Sequence, residues 1–367
     1  MQRITQKSVL AVCTVTALTL VLSACGSSTT DEASTAASAS AEVASSAPAA
    51  TEEASEPAAA ASLDGSLSGK TIAYIQPGAA EYYIVSAEGA VAAVEELGGT
   101  AKVYDSAFDP TKELANVKAA ILEGVDGIVL FPLSDASAKA ELRLANEAGI
   151  PMSVLYGYSE ENAPNGAGFV QVDFFNYAKA LGEAFAVEVP TGPIAIVSGT
   201  QGRSEVTALR EGFVTGFGDA SRIVEEIPGD YSRDKAFQAT QDIITKHPDL
   251  TGLVVGNEDM AVGAVSALEQ AGLASQVKVA TQNGSPEGNQ FLSDGKFAVT
   301  VGASPSQEAA LGVNLLAQTL AGTPAAEKLC YTPWAVNTPD AINSVDWAAT
   351  PEVIASALTL PAACSTQ

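Results

Sequence analysis

The sequence predicts an α/β protein built as two doubly wound parallel-sheet lobes, and three observations carry that prediction. Short apolar runs of strand length alternate with segments whose apolar residues recur at helical spacing. The alternation begins at Lys70 and restarts at Pro193. The stretch that carries it, about 300 residues, is larger than one hydrophobic core comfortably sustains. Strands alternating with amphipathic helices imply right-handed crossovers and parallel sheets covered on both faces.

In the first series, 71–75 reads as a buried strand. A helix follows, with Ile84, Ala87, Val91, Val94 and Leu97 at helical spacing, and Gly98-Gly99 ends it. A second strand spans 101–104. Asp109-Pro110 opens a helix that runs to Leu122, with proline near the first helical position and Gly124 past the end. The series continues with a strand at 127–131, a helix at 136–148 and strands at 151–155 and 168–172. The second series places strands at 193–197, 222–226, 252–255, 277–280 and 297–301. Helices are expected at 204–216, 233–246, 260–270 and 286–293, and one more, 305–320, lies beyond the series.

Open parallel sheets bind ligands outside the carboxyl ends of their strands. Residues that follow strands are therefore the candidates: Tyr82, Tyr83, Tyr156, Asp173, Arg203, Tyr231, Asn257 and Asn283. Six of them have a plainer reading. Tyr82 and Tyr83 can pack at a helix start, and Tyr156 and Tyr158 can cap a strand. Asp173 and Asn257 each precede a helix and suit an N-cap. Arg203 supplies a cation or is a solvated helix-start residue. Phe174 and Phe175 read as core, Met260 as packing and Trp334 as hinge packing.

The N-terminus has a secretory layout. Arg3 and Lys7 precede an apolar run over 9–22, and small residues lead to Leu22-Ser23-Ala24-Cys25. That run is too short and wrongly flanked for a membrane span. Its ending resembles a bacterial lipobox, which implies a leader over 1–24, acylation of Cys25 and an anchor in membrane lipid. Residues 25–67 are Ser, Ala, Thr, Glu and Pro with almost no large apolar side chain, so a disordered tether is expected there. The formal net charge of -25, from 43 acidic and 18 basic residues, opposes binding to nucleic acid. Beyond the leader and its lipobox, only Cys330 and Cys364 remain. Export makes a disulfide between them an expectation that spacing alone does not fix. No metal site and no cofactor is expected.

Four stretches carry a family resemblance: 109–117 (DPTKELANV), 145–151 (ANEAGIP), 256–264 (GNEDMAVGA) and 283–288 (NGSPEG). Together, in this order, they resemble the bacterial ribose-binding protein group of type I periplasmic solute receptors, which feed sugar ABC importers. The resemblance runs from Lys70 to about Thr338. It implies a three-crossing hinge near Val172-Asp173, Ala303-Ser304 and Pro333-Trp334. The lobes would then be 68–172 plus 304–332, and 173–303 plus 335–367.

The sugar site carries over in part. Tyr82-Tyr83 match a pair of adjacent aromatics that sandwich the sugar. Asp173 matches a hinge aspartate, Tyr231 an aromatic of the second lobe and Asn257 a sugar-binding asparagine. Four positions depart: Tyr156-Gly157 stand for Asp-Arg, Leu209 for arginine, Asn283 for aspartate and Ala303 for glutamine. Charged groups that fix sugar hydroxyls bidentately are lost, so ribose is not the expected ligand. A polyol, another sugar or a heterocyclic metabolite fits tyrosine rings and asparagine amides.

The expected function is capture of a small polar ligand between two lobes, as a monomer, on the outer face of the cytoplasmic membrane, for an ABC permease. A ligand-sensing receptor subunit uses the same physics with another partner. An exported carbohydrate-active enzyme is the rival from another class. Against it, the sole histidine, His247, sits at a helix end, and the sequence has no GxSxG, HExxH or P-loop pattern. A DNA-binding regulator of the lactose-repressor type would need a helix-turn-helix where the leader stands.

Overall fold

The computed structural model describes residues 63–156, 168–322, 328–331, 334–343 and 345–359. All of these fall within one compact unit of the chain. The leader, Cys25, nearly all of the tether, Gly157, Tyr158, Pro333 and Cys364 lie outside the described residues. Cys330 is described through its backbone only.

The first series is β1 (Thr71–Gln76), α1 (Glu81–Glu96), β2 (Thr100–Asp105), α2 (Pro110–Leu122), β3 (Gly127–Leu130), α3 (Asp135–Glu147), β4 (Met152–Leu155) and β5 (Phe169–Val172). The second is α4 (Phe174–Glu188), β6 (Ile194–Ser198), α5 (Ser204–Phe217), β7 (Ile223–Pro228), α6 (Arg233–Lys246), β8 (Gly252–Val255), α7 (Glu258–Gln270), β9 (Lys278–Asn283), α8 (Pro286–Ser293) and β10 (Val299–Ala303). The chain then adds α9 (Pro305–Leu320), β11 (Lys328–Tyr331), β12 (Trp334–Asn337) and α10 (Pro351–Thr359). Sequence reading identified no element for α4 as a whole, nor for β11, β12 or α10.

Two six-stranded sheets result, ordered β11-β5-β4-β3-β1-β2 and β12-β10-β9-β8-β6-β7. All pairings are parallel except that of β12, which runs antiparallel to β10 from Ala303↔Trp334 to Thr300↔Asn337. Strands β3 and β8, Gly-Ile-Val-Leu and Gly-Leu-Val-Val, are buried at every position. Helices on both faces of each sheet require this.

Helix starts follow local chemistry. Asp109 accepts from the Thr111 amide at 2.8 Å ahead of Pro110. Ser134 and Ser137 form a reciprocal capping box at α3. Helix α1 lies so close to α9 that a Cβ on Gly89 would meet the Ser306 carbonyl oxygen at 2.2 Å.

Two expected boundaries are corrected. Leu63 and Leu67 are buried in the core of the first lobe, and the Leu67 amide donates to the Leu97 carbonyl at 3.1 Å. The folded region therefore begins before the expected end of the tether, because two leucines four residues apart have a hydrophobic partner. The tail also departs from the expected path. After β12 joins the second sheet, α10 packs on α9 and α1 of the first lobe. Asn314 Nδ2 donates to the Ala357 carbonyl at 2.8 Å, and Ser306 Oγ to that of Ala348 at 3.1 Å. The chain thus passes between lobes a fourth time, and 335–367 is not wholly a second-lobe segment.

Candidate ligand-binding cleft

The carboxyl ends of the two sheets face each other across a cavity of about 350 Å³. The turn after each parallel strand from β1 to β10 brings a side chain to it. Phe108 follows β2, Phe131 follows β3, Tyr156 follows β4 and Phe174 follows β5. From the second lobe come Arg203, Tyr231, Asn257 and Asn283, after or at the ends of β6, β7, β8 and β9. Glu308, one turn into α9 after β10, completes the lining.

The backbone carries the same signature. Among the described residues six non-glycine positions have positive φ. Four of them, Phe108 (57°), Tyr156 (61°), Tyr231 (56°) and Asn283 (138°), line the cavity. Such conformations cost about 1–3 kcal/mol each and gather where side chains are aimed at a ligand.

The first lobe presents an arc of aromatic rings. Phe131 lies 5.0 Å from Tyr83 and 5.0 Å from Tyr156 between ring centroids, and Tyr156 lies 5.1 Å from Phe174. Tyr82 meets Phe131 at 6.3 Å and Trp347 at 5.6 Å, edge to face. The Tyr82 hydroxyl donates to Glu308 Oε2 and lies 3.0 Å from the Tyr156 hydroxyl. Glu308 is buried, which pushes its carboxyl up to about 8, against the opposing bond from Tyr82.

The second lobe presents polar groups. Arg203 is buried, ion-paired with Glu205 and 5.7 Å from the Tyr231 ring centroid. Burial works against the guanidinium charge, but Glu205 beside it restores and strengthens it. Burial raises Glu205 in turn, with Arg203 opposing. Tyr231 reaches the cavity because Gly199 has no side chain, since a Cβ there would sit 2.4 Å from the tyrosine ring. Asn257 Oδ1 caps α7 by accepting from Met260 N at 2.9 Å, and the residue also lines the cavity. The Asn283 carbonyl accepts from Trp347 Nε1 at 3.0 Å, while the buried side-chain Oδ1 of Asn283 has no partner among the described residues. Across the mouth, Ser204 N donates to Asp135 Oδ2 of the first lobe at 3.2 Å.

Seven of the eight candidates from sequence therefore line one cavity: Tyr82, Tyr83, Tyr156, Arg203, Tyr231, Asn257 and Asn283. Asp173 is corrected. It caps α4, with Oδ1 accepting from Asn176 N at 3.0 Å and Oδ2 from Asn176 Nδ2 at 2.6 Å, and it is absent from the lining. Sequence reading missed Phe108, Phe131, Glu205, Glu308 and Trp347, and assigned Phe174 to the core. Phe131 was legible by the strand-end rule, since it closes the third strand. Glu308 and Trp347 reach the site through packing that no local pattern reports.

Residues 72–324 match the family model described as a periplasmic binding protein domain. The chain is 29% identical over 245 residues to the ribose import binding protein of Escherichia coli (strain K12), covering 66% of this chain and 81% of that protein. It is 27% identical over 262 residues to the D-ribose/D-allose-binding protein of Pseudomonas aeruginosa, covering 68% and 81%. A crystal structure from Mycobacterium smegmatis in complex with β-D-fucofuranose is 26% identical, with a TM-score of 0.68 over 74% of this chain and 92% of that one. With most of its folded length matched and two parallel sheets facing across one cleft, the chain belongs to the periplasmic binding protein family and has the type I fold.

Proposed function

We propose that this protein is the extracytoplasmic solute-binding component of an ABC importer, and that it captures a sugar or related small polar ligand between its lobes. The observation that carries this reading is the cleft itself: aromatic faces from one sheet oppose polar groups from the other, in a space of monosaccharide scale. Rings stack on the apolar faces of a sugar or polyol, while Asn257, Asn283 and Arg203 orient its hydroxyls. Ligand touching both lobes favours the closed arrangement by its differential affinity for it, and an importer reads that state. The sugars bound by its relatives support this class of ligand.

A thermal-shift screen of monosaccharides, polyols and nucleosides tests the reading on the folded segment from Leu63. A ligand at a hundred times its Kd adds about 2.7 kcal/mol, or roughly 4–5 °C in Tm for a segment of this size. Tyr83→Ala is expected to abolish that shift. Asn257→Ser should weaken it at least tenfold while keeping the α7 cap, since serine also caps. No shift with any of these compounds, together with an unchanged scattering profile, would count decisively against capture.

Acylation at Cys25 would hold the protein at the outer face of the membrane, with the polar tether giving the folded part reach. No described helix is long and apolar enough to cross a membrane. Cys25→Ser is expected to move the full-length protein from the membrane fraction to the soluble one. Retention of the variant in the membrane fraction would remove the anchor from the proposal.

A further inference from the structure

The cleft has an uneven hydrogen-bonding inventory, and Glu308 is at its centre. This carboxyl is 1% exposed, lies against the aromatic arc and lines the cavity. One oxygen accepts from Tyr82, while the other, Oε1, has no hydrogen-bond partner among the described residues. Asn283 Oδ1, on the opposite lobe, is a second buried acceptor without a donor among the described residues. The buried cation that could answer them, Arg203, is committed to Glu205, and the other lining cation, Arg233, is bonded to Asp259 at 2.7 Å. The remaining ionisable lining groups of acidic type are Glu81, Glu258, Glu287 and Glu308. Glu258 is engaged, accepting from the amides of Gly284 at 2.9 Å and Ser285 at 3.0 Å. The cleft thus offers acceptors, π faces and surplus acid.

We propose that the cleft is built for a small hydroxylated ligand carrying a protonated amine, an amino sugar or amino polyol, with Glu308 as the group that receives the ammonium. This inference rests on the solute-binding reading above and narrows its ligand class. An ammonium supplies three donors and no acceptor, which answers unpaired Oε1. Tyr82, which donates to Glu308, is in ring contact with Phe131 and Trp347, and Phe131 with Tyr156, so π systems that can attract a cation cluster beside this carboxyl. The hydroxylated side of the ligand is left for Asn257, Asn283 and the Arg203–Glu205 pair.

Charge balances in a specific way. In the empty cleft burial keeps the Glu308 proton on; its titratable neighbours are Tyr82 on α1, Tyr156 after β4 and Tyr74 on β1, all phenols. Arrival of R–NH3+ stabilises the carboxylate, so Glu308 releases its proton to solvent and the ammonium keeps all of its own. A neutral sugar triggers no such release.

Calorimetric titration at pH 7 in phosphate and in Tris distinguishes the two, using glucosamine, galactosamine and mannosamine against glucose, galactose and mannose. The expected result is at least tenfold tighter binding of one amino sugar than of its parent, with a heat that differs between buffers in proportion to the proton released. Glu308→Gln is isosteric with the neutral carboxyl, and it should fold normally. It is expected to erase both the preference for the amino sugar over its parent and the buffer dependence. Tyr82→Phe, which keeps the ring and removes the donor to the carboxylate, should weaken the amino sugar more than its parent. A parent sugar that binds as tightly, with buffer-independent heat, overturns the amine proposal and leaves solute capture standing. Failure of all six probes to bind overturns it as well and counts against the broader reading.

Discussion

Replacing Glu141 by glutamine is expected to raise the thermal midpoint of the ligand-free protein at pH 8 and to leave it nearly unchanged near pH 4. Glu141 on α3 and Glu113 on α2 are 1% and 0% exposed. Burial raises the Glu141 carboxyl, and the Glu113 charge beside it raises it further. Glu113 is raised by burial too, but bonds from Ser137 and the Leu133 amide, the latter at 2.7 Å, oppose this. Among the described residues Glu113 Oε1 and Glu141 Oε2 both lack a donor. Two ionised carboxylates offer acceptors only, whereas one retained proton makes a donor, and Glu141 is the group that keeps it.

The unfolded chain releases that proton above about pH 4.5, while the folded protein holds it to much higher pH. The folded state then binds more protons than the unfolded one, so stability falls as pH rises through this window. At about 1.4 kcal/mol per pH unit, the loss reaches a few kcal/mol by pH 8. Glutamine removes the titration and still donates to Glu113. Glu308, pushed up to about 8, and Glu258, pushed up to about 7, contribute with the same sign, so the variant flattens the profile without abolishing it. Wild-type and variant midpoints that run parallel from pH 5 to 8 would refute the pairing.

The repeated fold was legible because a buried parallel strand leaves little choice of residue: Gly-Leu-Val-Val between Thr251 and Gly256 announces β8 without any knowledge of its neighbours. The strand-end rule then brought seven of eight candidates to one cavity. Asp173 shows where the rule fails. It occupies a crossing, and its carboxylate was equally suited to capping α4, which is the role it takes. Helix α4 was anticipated only at its start, through the capping reading of Asp173; its extent went unread because Phe174-Phe175 mimics a continuation of β5. Glu308 was invisible for another reason. On α9 it occupies a position that sequence reads as helix surface, and only packing of α9 behind Tyr82 makes it a buried acid. Trp347 lies in a stretch without periodicity, and nothing local tells that it returns to the cleft.

Trp347 is where the largest loss from one substitution in that returning segment is expected. It is 6% exposed, its indole N–H donates to the Asn283 carbonyl of the second lobe, and its ring packs edge-on against Tyr82 of the first. It therefore holds Asn283 at its unusual φ of 138° and fixes the fourth crossing, between β12 and α10. Trp347→Ala should cost about 3–5 kcal/mol, as truncation of a buried aromatic does, lowering Tm by roughly 5–8 °C. Trp347→Phe keeps a ring against Tyr82 and loses only the donor, costing about 1 kcal/mol. The chain has two tryptophans, so Trp334→Phe leaves Trp347 as the sole indole reporter. Its emission is expected to shift on addition of any ligand that raises Tm, because closure changes the polarity at Asn283 and Tyr82. An indole spectrum indifferent to such a ligand, with Trp347→Ala no less stable than Trp347→Phe, would mean that this segment is a passive strap outside the cleft.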